Sequence, residues 1–295
     1  MGFDNTKIQN TLDEFKEETG ISLSFEGSNL SEEETIEKLN EILNRARGRE
    51  DRNFFIRQFL LGQKSGGEIA DFFKKQGAGA TERAVLLLVS FRQKVASYDI
   101  TVLSGVFSSR NVRIIEMDDN DVAILLSERK KESEESLFET ANAVRDIINT
   151  ECMKDASIYY DSVSVPMVEL PEVYKNLLFT KNIAQAFYSP LQVYSFHKLG
   201  IKKLLYRLPA DACEEYLKDT VPGFDFKKLD PDLKSTIKAF IDCDLSVAET
   251  SRSTYVHRNT LNYRLDKFEK MSGLNIRKFD DAMLCRIGMM ISDML

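Results

Sequence analysis

The chain has 295 residues, 43% of them hydrophobic and 29% charged, with 14 Gly and 6 Pro. That length suits two or three domains of roughly 100 to 150 residues with buried cores, and the composition excludes fibrous and low-complexity disordered classes. The formal net charge of −7 argues against a protein that binds polyanions over its whole surface. It is unevenly spread, however, with 6 basic and 13 acidic side chains over 1–51 against 7 basic and 3 acidic over 246–278.

Taken in chain order, residues 5–18 and 31–47 read as polar helices, the second opened by Ser31 and Glu34 at capping-box spacing, with a short alternating strand, ISLSF, at 21–25 between them. A third helix, DRNFFIRQFLLG, sets Phe55, Phe59 and Leu60 on one face and stops at Gly62. The Gly66-Gly67 pair and the GAGA stretch at 77–80 flank a short helix, EIADFFKK, and the second glycine-rich stretch marks a boundary.

From 84 onward strands alternate with helices. AVLLLVSF at 84–91 reads as a buried strand and is followed by a helix at about 97–109. NVRIIEM and DVAILLS then form two strands separated by Asp118, Asp119 and Asn120, a polar turn of hairpin type. A helix at about 132–151 carries Leu137, Ala141, Val144 and Ile148 at spacings of 4, 3 and 4, one stripe facing a sheet. A strand at 157–165, a helix at 170–187 and a last strand at 191–196 complete the order β-α-β-β-α-β-α-β. The expected fold class is α+β: an N-terminal helical region (1–80), a central ferredoxin-like α/β sandwich (81–200), a helical linker (201–229) and an all-α C-terminal domain (230–295). Within 201–229, helices are expected at 201–208 and 211–219, and the loop VPGFDFKKLDP has the look of a linker.

The longest apolar run, 84–90, is far short of the roughly 20 residues that a membrane-spanning helix needs, and the N-terminal MGFDNTKIQ shows no basic-then-apolar leader. A cytoplasmic protein with no membrane partner is expected. Cys152, Cys213, Cys243 and Cys285 are too far apart for a metal knuckle or redox dithiol, and His197 and His257 match no helical zinc pair. No metal, cofactor or catalytic residue is expected; the cysteines read as reduced, half-buried hydrophobes and His197 as a surface residue.

The C-terminal segment DLSVAETSRSTYVHRNTLNYRLDKFEKMSGL carries the most information. Ser246 and Glu249 have capping-box spacing for a helix reaching about Ser253. After a break at 254–256, His257 caps a second helix that runs to about Met271, before Gly273. On that helix Leu261, Leu265 and Phe268 form one apolar stripe, which leaves Arg258, Asn259, Asn262, Tyr263, Lys267 and Lys270 outward and Arg264 at the flank. Two helices joined by a tight break, with basic and amide side chains at the leading end of the second, is the organisation of a helix-turn-helix. Arg pairs with guanine O6 and N7, Asn with adenine N6 and N7, and Thr, Tyr and helix-end amides hold phosphates.

VHRNTLNYRL (256–265) and the following EKMSGLNIRKFDDAMLCRIG strongly resemble the C-terminal helix-turn-helix of the PucR and sugar-diacid regulator (CdaR) family of bacterial transcription factors. The resemblance implies that His257, Arg258, Asn259, Thr260, Leu261, Tyr263, Arg264 and Leu265 hold the motif positions, with Thr250 and Arg252 matching the T-A-R of the preceding helix. It also implies a DNA-binding transcriptional regulator of a catabolic operon, an expected homodimer on double-stranded DNA answering to an unknown small-molecule effector. The expected DNA-binding residues are Arg252, His257, Arg258, Asn259, Thr260, Asn262, Tyr263, Arg264 and Lys267. The chain departs from the pattern at Ser251, Ser253 and Thr254, where Ala, Ala and Leu are usual, and at Asn262, often Arg. Looser packing of the two helices is the expected consequence. The alternative it leaves open is a ligand or protein-interaction module that does not bind DNA and whose helix-turn-helix is vestigial.

Upstream, the order of elements over 84–196 is similar to the degenerate GGDEF-like domain of these regulators, with DDNDVAILL (118–126) where a cyclase has GGDEFAILL. Asp118 and Asp119 set side chains and negative charge where two glycines would admit a nucleotide phosphate. A nucleotide-cyclising or nucleotide-hydrolysing enzyme is therefore not expected, and Asp121 reads as a solvated hairpin residue.

Overall fold

The most continuous apolar run of the sequence becomes the centre of a sheet in the computed structural model of the chain. The structure describes residues 12, 13, 16, 52–75, 83–107, 112–128, 133–161, 164–187 and 192–295. The helices expected at 5–18 and 31–47, the strand at 21–25 and the boundary at 77–80 lie outside these residues, apart from 12, 13 and 16. The chain divides into two compact units, Met1–Leu177 and Leu178–Leu295.

In the first unit, α1 (52–60) buries Ile56, Phe59 and Leu60, while Phe55 stands at the edge of that face, stacked on Phe72 with ring centroids 4.5 Å apart. Helix α2 (Gly66–Lys75) begins two residues earlier than the sequence suggests because Ser65 and Glu68 form a reciprocal cap: Ser65 N–H donates to Glu68 Oε2 at 2.8 Å and Glu68 N–H to Ser65 Oγ at 3.3 Å. Those bonds hold the Glu68 carboxyl below its usual range.

Strand β1 (Arg83–Phe91) is buried through 84–89. It is followed by α3 (Ser97–Val106), β2 (Val112–Glu116), β3 (Asp121–Glu128), α4 (Glu134–Glu151) and β4 (Ala156–Tyr160). These strands pair antiparallel in the order β2-β3-β1-β4, so β1 is flanked on both edges, which is why it carries no polar alternation. The stripe Leu137, Ala141, Val144 and Ile148 is the buried face of α4, as its spacing requires, and α4 packs on β4.

Two expectations are corrected here. The single strand expected at 157–165 is two pieces: β4 ends at Tyr160, and β5 (Val165–Pro166) pairs with the opposite end of β1, at Ala84 and Arg83. Asp121 is not a solvated hairpin residue. Its register partner on β1 is Ser90, whose hydroxyl donates to Asp121 Oδ1 at 2.6 Å, and the residue is 1% exposed.

The hairpin turn is closed by Asp118, whose Oδ1 accepts from the N–H groups of Asn120 and Asp121, both at 2.8 Å. Burial and the nearby Asp121 and Asp118 charges push the Tyr174 phenol up to about 12. Elsewhere in this unit, buried Asp99 pairs with Lys154 at 2.5 Å, and desolvation, with the Asp99 charge, pushes the Cys152 thiol up to about 11.

The division between the units falls within α5 (Leu170–Phe187). The second unit contains the short strand β6 (Val193–Ser195), narrower than the expected 191–196 because Phe196–Leu199 turns into a 3-10 helix. The helix expected at 201–208 is the single turn α6 (Lys202–Leu205). There follow α7 (Ala210–Thr220), α8 (Pro231–Asp242), α9 (Val247–Thr254), α10 (Arg258–Ser272) and α11 (Phe279–Met294).

Asp230 starts α8, its Oδ1 accepting from Asp232 N–H at 3.0 Å and Leu233 N–H at 3.2 Å, with Pro231 in the first turn. One core joins Leu233, Ile237 and Phe240 of α8, Leu261, Leu265 and Phe268 of α10, and Ala282, Cys285 and Met289 of α11. The 201–229 stretch, expected to be a linker, contributes Val221, Phe226 and Leu229 to that core. Gly288 of α11 faces the Phe226 ring so closely that an added Cβ would lie 2.6 Å from it. All four cysteines are free; Cys213 and Cys285 are buried, and burial pushes the Cys285 thiol up to about 12.

Candidate nucleic-acid interface

The interface is built from three local signals. Ser246 Oγ accepts from the Glu249 N–H at 3.3 Å and opens α9. The expected reciprocal half of the box is not made: Ser246 N–H donates to Cys243 O at 3.0 Å and the Glu249 carboxylate pairs with Arg252 at 3.0 Å. Helix α9 stops at Tyr255, which takes the left-handed conformation (φ 56°, ψ 24°) and turns the chain. His257 then caps α10, its Nδ1 accepting from Asn259 N–H at 3.2 Å, and Gly273 (φ 76°) ends it.

The three positions on α9 that depart from the resemblance are all hydrogen-bonded. Ser251 Oγ donates to Val256 O at 2.6 Å and pins the turn to α9, Thr254 Oγ1 donates to Thr250 O at 2.6 Å, and Ser253 Oγ donates to Thr250 O at 3.2 Å. Thr250 itself is fully buried, its hydroxyl donating to Ser246 O at 2.7 Å. Of the carbonyl bonds made by the three departing positions, only that of Ser251 reaches out of α9; those of Ser253 and Thr254 close back on the helix itself.

Because Leu261, Leu265 and Phe268 are fully buried, the opposite face of α10 must point outward. Asn259, Thr260, Tyr263 and Lys267 are exposed there, with Tyr263 at 68%; Arg258 is exposed as the first residue of the helix, and Arg252 and His257 are exposed just ahead of it. Seven of the nine residues expected to touch DNA are thus exposed: His257, Arg258, Asn259, Thr260 and Tyr263 at the leading end of α10, Arg252 on α9, and Lys267 on the trailing half of α10.

The other two are engaged elsewhere. Arg264 Nη1 donates to Thr236 Oγ1 at 2.7 Å and its Nη2 lies 3.5 Å from Asp232, so its guanidinium ties α10 to α8. Asn262 accepts from Arg277 Nη2 through both its backbone carbonyl, at 3.4 Å, and Oδ1, at 3.3 Å.

Two residues of this surface carry no signal in the motif. Arg277, in the loop after α10, also pairs with Asp266 at 2.8 Å and Glu269 at 3.9 Å, offsetting the acidic charges on the trailing half of the helix. Tyr255 is 96% exposed while holding a backbone conformation that costs an ordinary L-residue about 1–2 kcal/mol. A residue that buries nothing and sits in a strained turn points to a role outside the fold. The positive φ at 255 is invisible in a helix-period pattern, though a three-residue break without glycine hints at it.

Residues 233–291 match the family described as the PucR C-terminal helix-turn-helix domain. The chain is 20% identical over 143 residues to the purine catabolism regulatory protein of Bacillus subtilis (strain 168), a match covering 48% of this chain and 27% of that protein. It is 31% identical over 61 residues to the carbohydrate diacid regulator of Escherichia coli (strain K12), covering 21% and 16%. These matches span less than a third of either relative's own length. The crystal structure of a regulator of polyketide synthase expression from Bifidobacterium adolescentis aligns over 81% of this chain and 96% of its own, at 18% identity and a TM-score of 0.38, too low to bear on the fold. Among the described residues no group of His, Cys, Asp and Glu is placed to hold a metal, and no helix is long and apolar enough to cross a membrane.

Proposed function

We propose that this chain, whose residues 233–291 match the PucR C-terminal helix-turn-helix domain, is a sequence-specific DNA-binding transcriptional regulator. The observation that carries the reading is the exposed leading end of α10, where Arg258, Asn259 and Thr260 follow the His257 cap with nothing packed over them. Arg258 and Asn259 are the base readers. Arg252, His257, Thr260, Tyr263 and Lys267, joined by Tyr255 from the turn, hold phosphates. Arg264 and Asn262 act one step back, setting the pitch of α10 through Thr236 and Arg277.

The protein works as a homodimer, since two modules on half-sites about one helical turn apart multiply the specificity of one. The relatives' names, a purine catabolism regulatory protein and a carbohydrate diacid regulator, support control of catabolic genes; a small-molecule effector and a place in the cytoplasm are part of the same proposal. The upstream region is read as the degenerate GGDEF-like, ferredoxin-like domain. The β-α-β-β-α-β connectivity and the β2-β3-β1-β4 strand order support this. Asp118 is used in closing its own turn, and Asp119 faces Lys94 at 3.0 Å, which supports a scaffold without nucleotide chemistry.

The test is to select bound fragments from sheared genomic DNA with the full chain and sequence them, with light scattering for stoichiometry. A shared motif with two-fold symmetry and two chains per site is the expected result. Uniform recovery across the genome would refute sequence-specific binding.

A further inference from the structure

On the side of α8 away from α10, the second unit holds a cleft of about 520 Å³, within the roughly 300–1,000 Å³ of small-molecule sites. Its floor is apolar: Phe187 from α5, Ile241 from α8, and Met289 and Met290 from α11. Thioethers and an aromatic ring make a surface that adapts to a flat or flexible apolar body. Its rim is charged and carries more cations than anions, with Lys202, Lys234, Lys238 and Arg286 against Asp242 and Asp293. Both carboxylates already face a cation, Asp293 with Lys234 at 2.5 Å and Asp242 with Arg286 at 3.4 Å, so the excess charge of the rim is positive. Lys238 stands exposed between these two pairs along α8.

We propose that this cleft binds an amphipathic organic carboxylate, its apolar body on the methionine floor and its carboxylate on the lysine rim at Lys238. No residue of the cleft belongs to the DNA-facing surface of α10. The two sites share α8, however. The face bearing Lys234, Lys238 and Ile241 lines the cleft, while Thr236 and Asp232 on the same helix hold Arg264 of α10. A ligand that moves α8 therefore moves the anchor of α10, so the cleft is placed to regulate DNA affinity. This second step rests on the DNA-binding reading above; the binding site does not.

The test uses the full chain and dansylglycine, a fluorescent aromatic carboxylate. Saturable binding is expected, displaced by octanoate but not by octanol, weakened roughly tenfold in Lys238→Glu by charge reversal at a partly exposed site, and unchanged in Lys218→Glu, whose lysine lies outside the cleft. Absence of saturable binding, equal binding by Lys238→Glu in a chain with unchanged circular dichroism, or equal displacement by octanol would overturn the site. With dansylglycine saturating, the Kd for DNA should shift at least threefold in the unmodified chain and not in Lys238→Glu. An unshifted Kd in a chain that binds both ligands would refute the coupling alone. Failure to bind DNA at all would count against the regulator reading and leave the dansylglycine titration to decide the site.

Discussion

Replacing Tyr255 by glycine should move stability and DNA affinity in opposite directions. The residue holds φ 56° and ψ 24°, where a side chain costs about 1–2 kcal/mol that glycine does not incur. The ring is 96% exposed, so its removal forfeits no packing. Glycine's greater freedom in the unfolded chain takes back about 0.4–1 kcal/mol. The net expectation is a gain of about 0.5–1 kcal/mol, a rise of about 2–5 °C in the unfolding of the second unit. If Tyr255 touches the DNA backbone, loss of one such hydrogen bond costs about 0.5–1.5 kcal/mol, roughly a two- to tenfold weaker Kd. Thermal unfolding followed by circular dichroism gives the first quantity, and anisotropy of labelled DNA the second. A lower midpoint would show that the ring packs in the native state. An unchanged Kd beside a raised midpoint would remove Tyr255 from the interface.

Other perturbations separate the fold from the interface. Gly288→Ala drives a methyl to within 2.6 Å of the buried Phe226 ring and should cost about 1–3 kcal/mol, with Phe226→Leu in the same chain restoring part of the loss; calorimetry decides, and a neutral Gly288→Ala would mean the ring has room to shift. Leu265→Ala, at a fully buried stripe position, should cost about 2–5 kcal/mol and abolish DNA binding only through unfolding, which a stabilising osmolyte such as sucrose, at constant salt, would separate from a contact effect. With the Cys285 thiol raised from about 9 to about 12, its contribution to stability is complete below pH 9 and lost as pH climbs toward 12. The pH dependence of urea unfolding in that window should flatten in Cys285→Ala, and an unaltered slope would assign it to other groups.

The most legible parts of the chain were those whose causes are local. Ser246, His257 and Gly273 fixed the helix ends near the interface to within a residue, because a cap needs only its own three or four neighbours. The stripes on α4 and α10 and the run in β1 were equally plain, since period and burial are written in the residues themselves. What stayed hidden depends on partners far along the chain. Asp121 is buried because Ser90, 31 residues earlier, is its register partner. Arg264 turns to Thr236, 28 residues away, where helix spacing alone leaves it at the flank of an outward face. Residues 221–229, marked by Pro222 and Gly223, look like a linker, yet Val221, Phe226 and Leu229 fold them into the core. The alternating run at 157–165 gave no sign that it would serve two separate places on β1.

The central claim is that the leading end of α10 reads DNA, and anisotropy of the full chain against DNA from its own upstream region, beside a scrambled duplex at two salt concentrations, tests it most directly. The account predicts tighter binding to the native fragment, weakening as salt rises because phosphate contacts release counterions, with the preference lost in Arg258→Ala at an unchanged melting temperature. Wild-type affinity and preference in Arg258→Ala would contradict it.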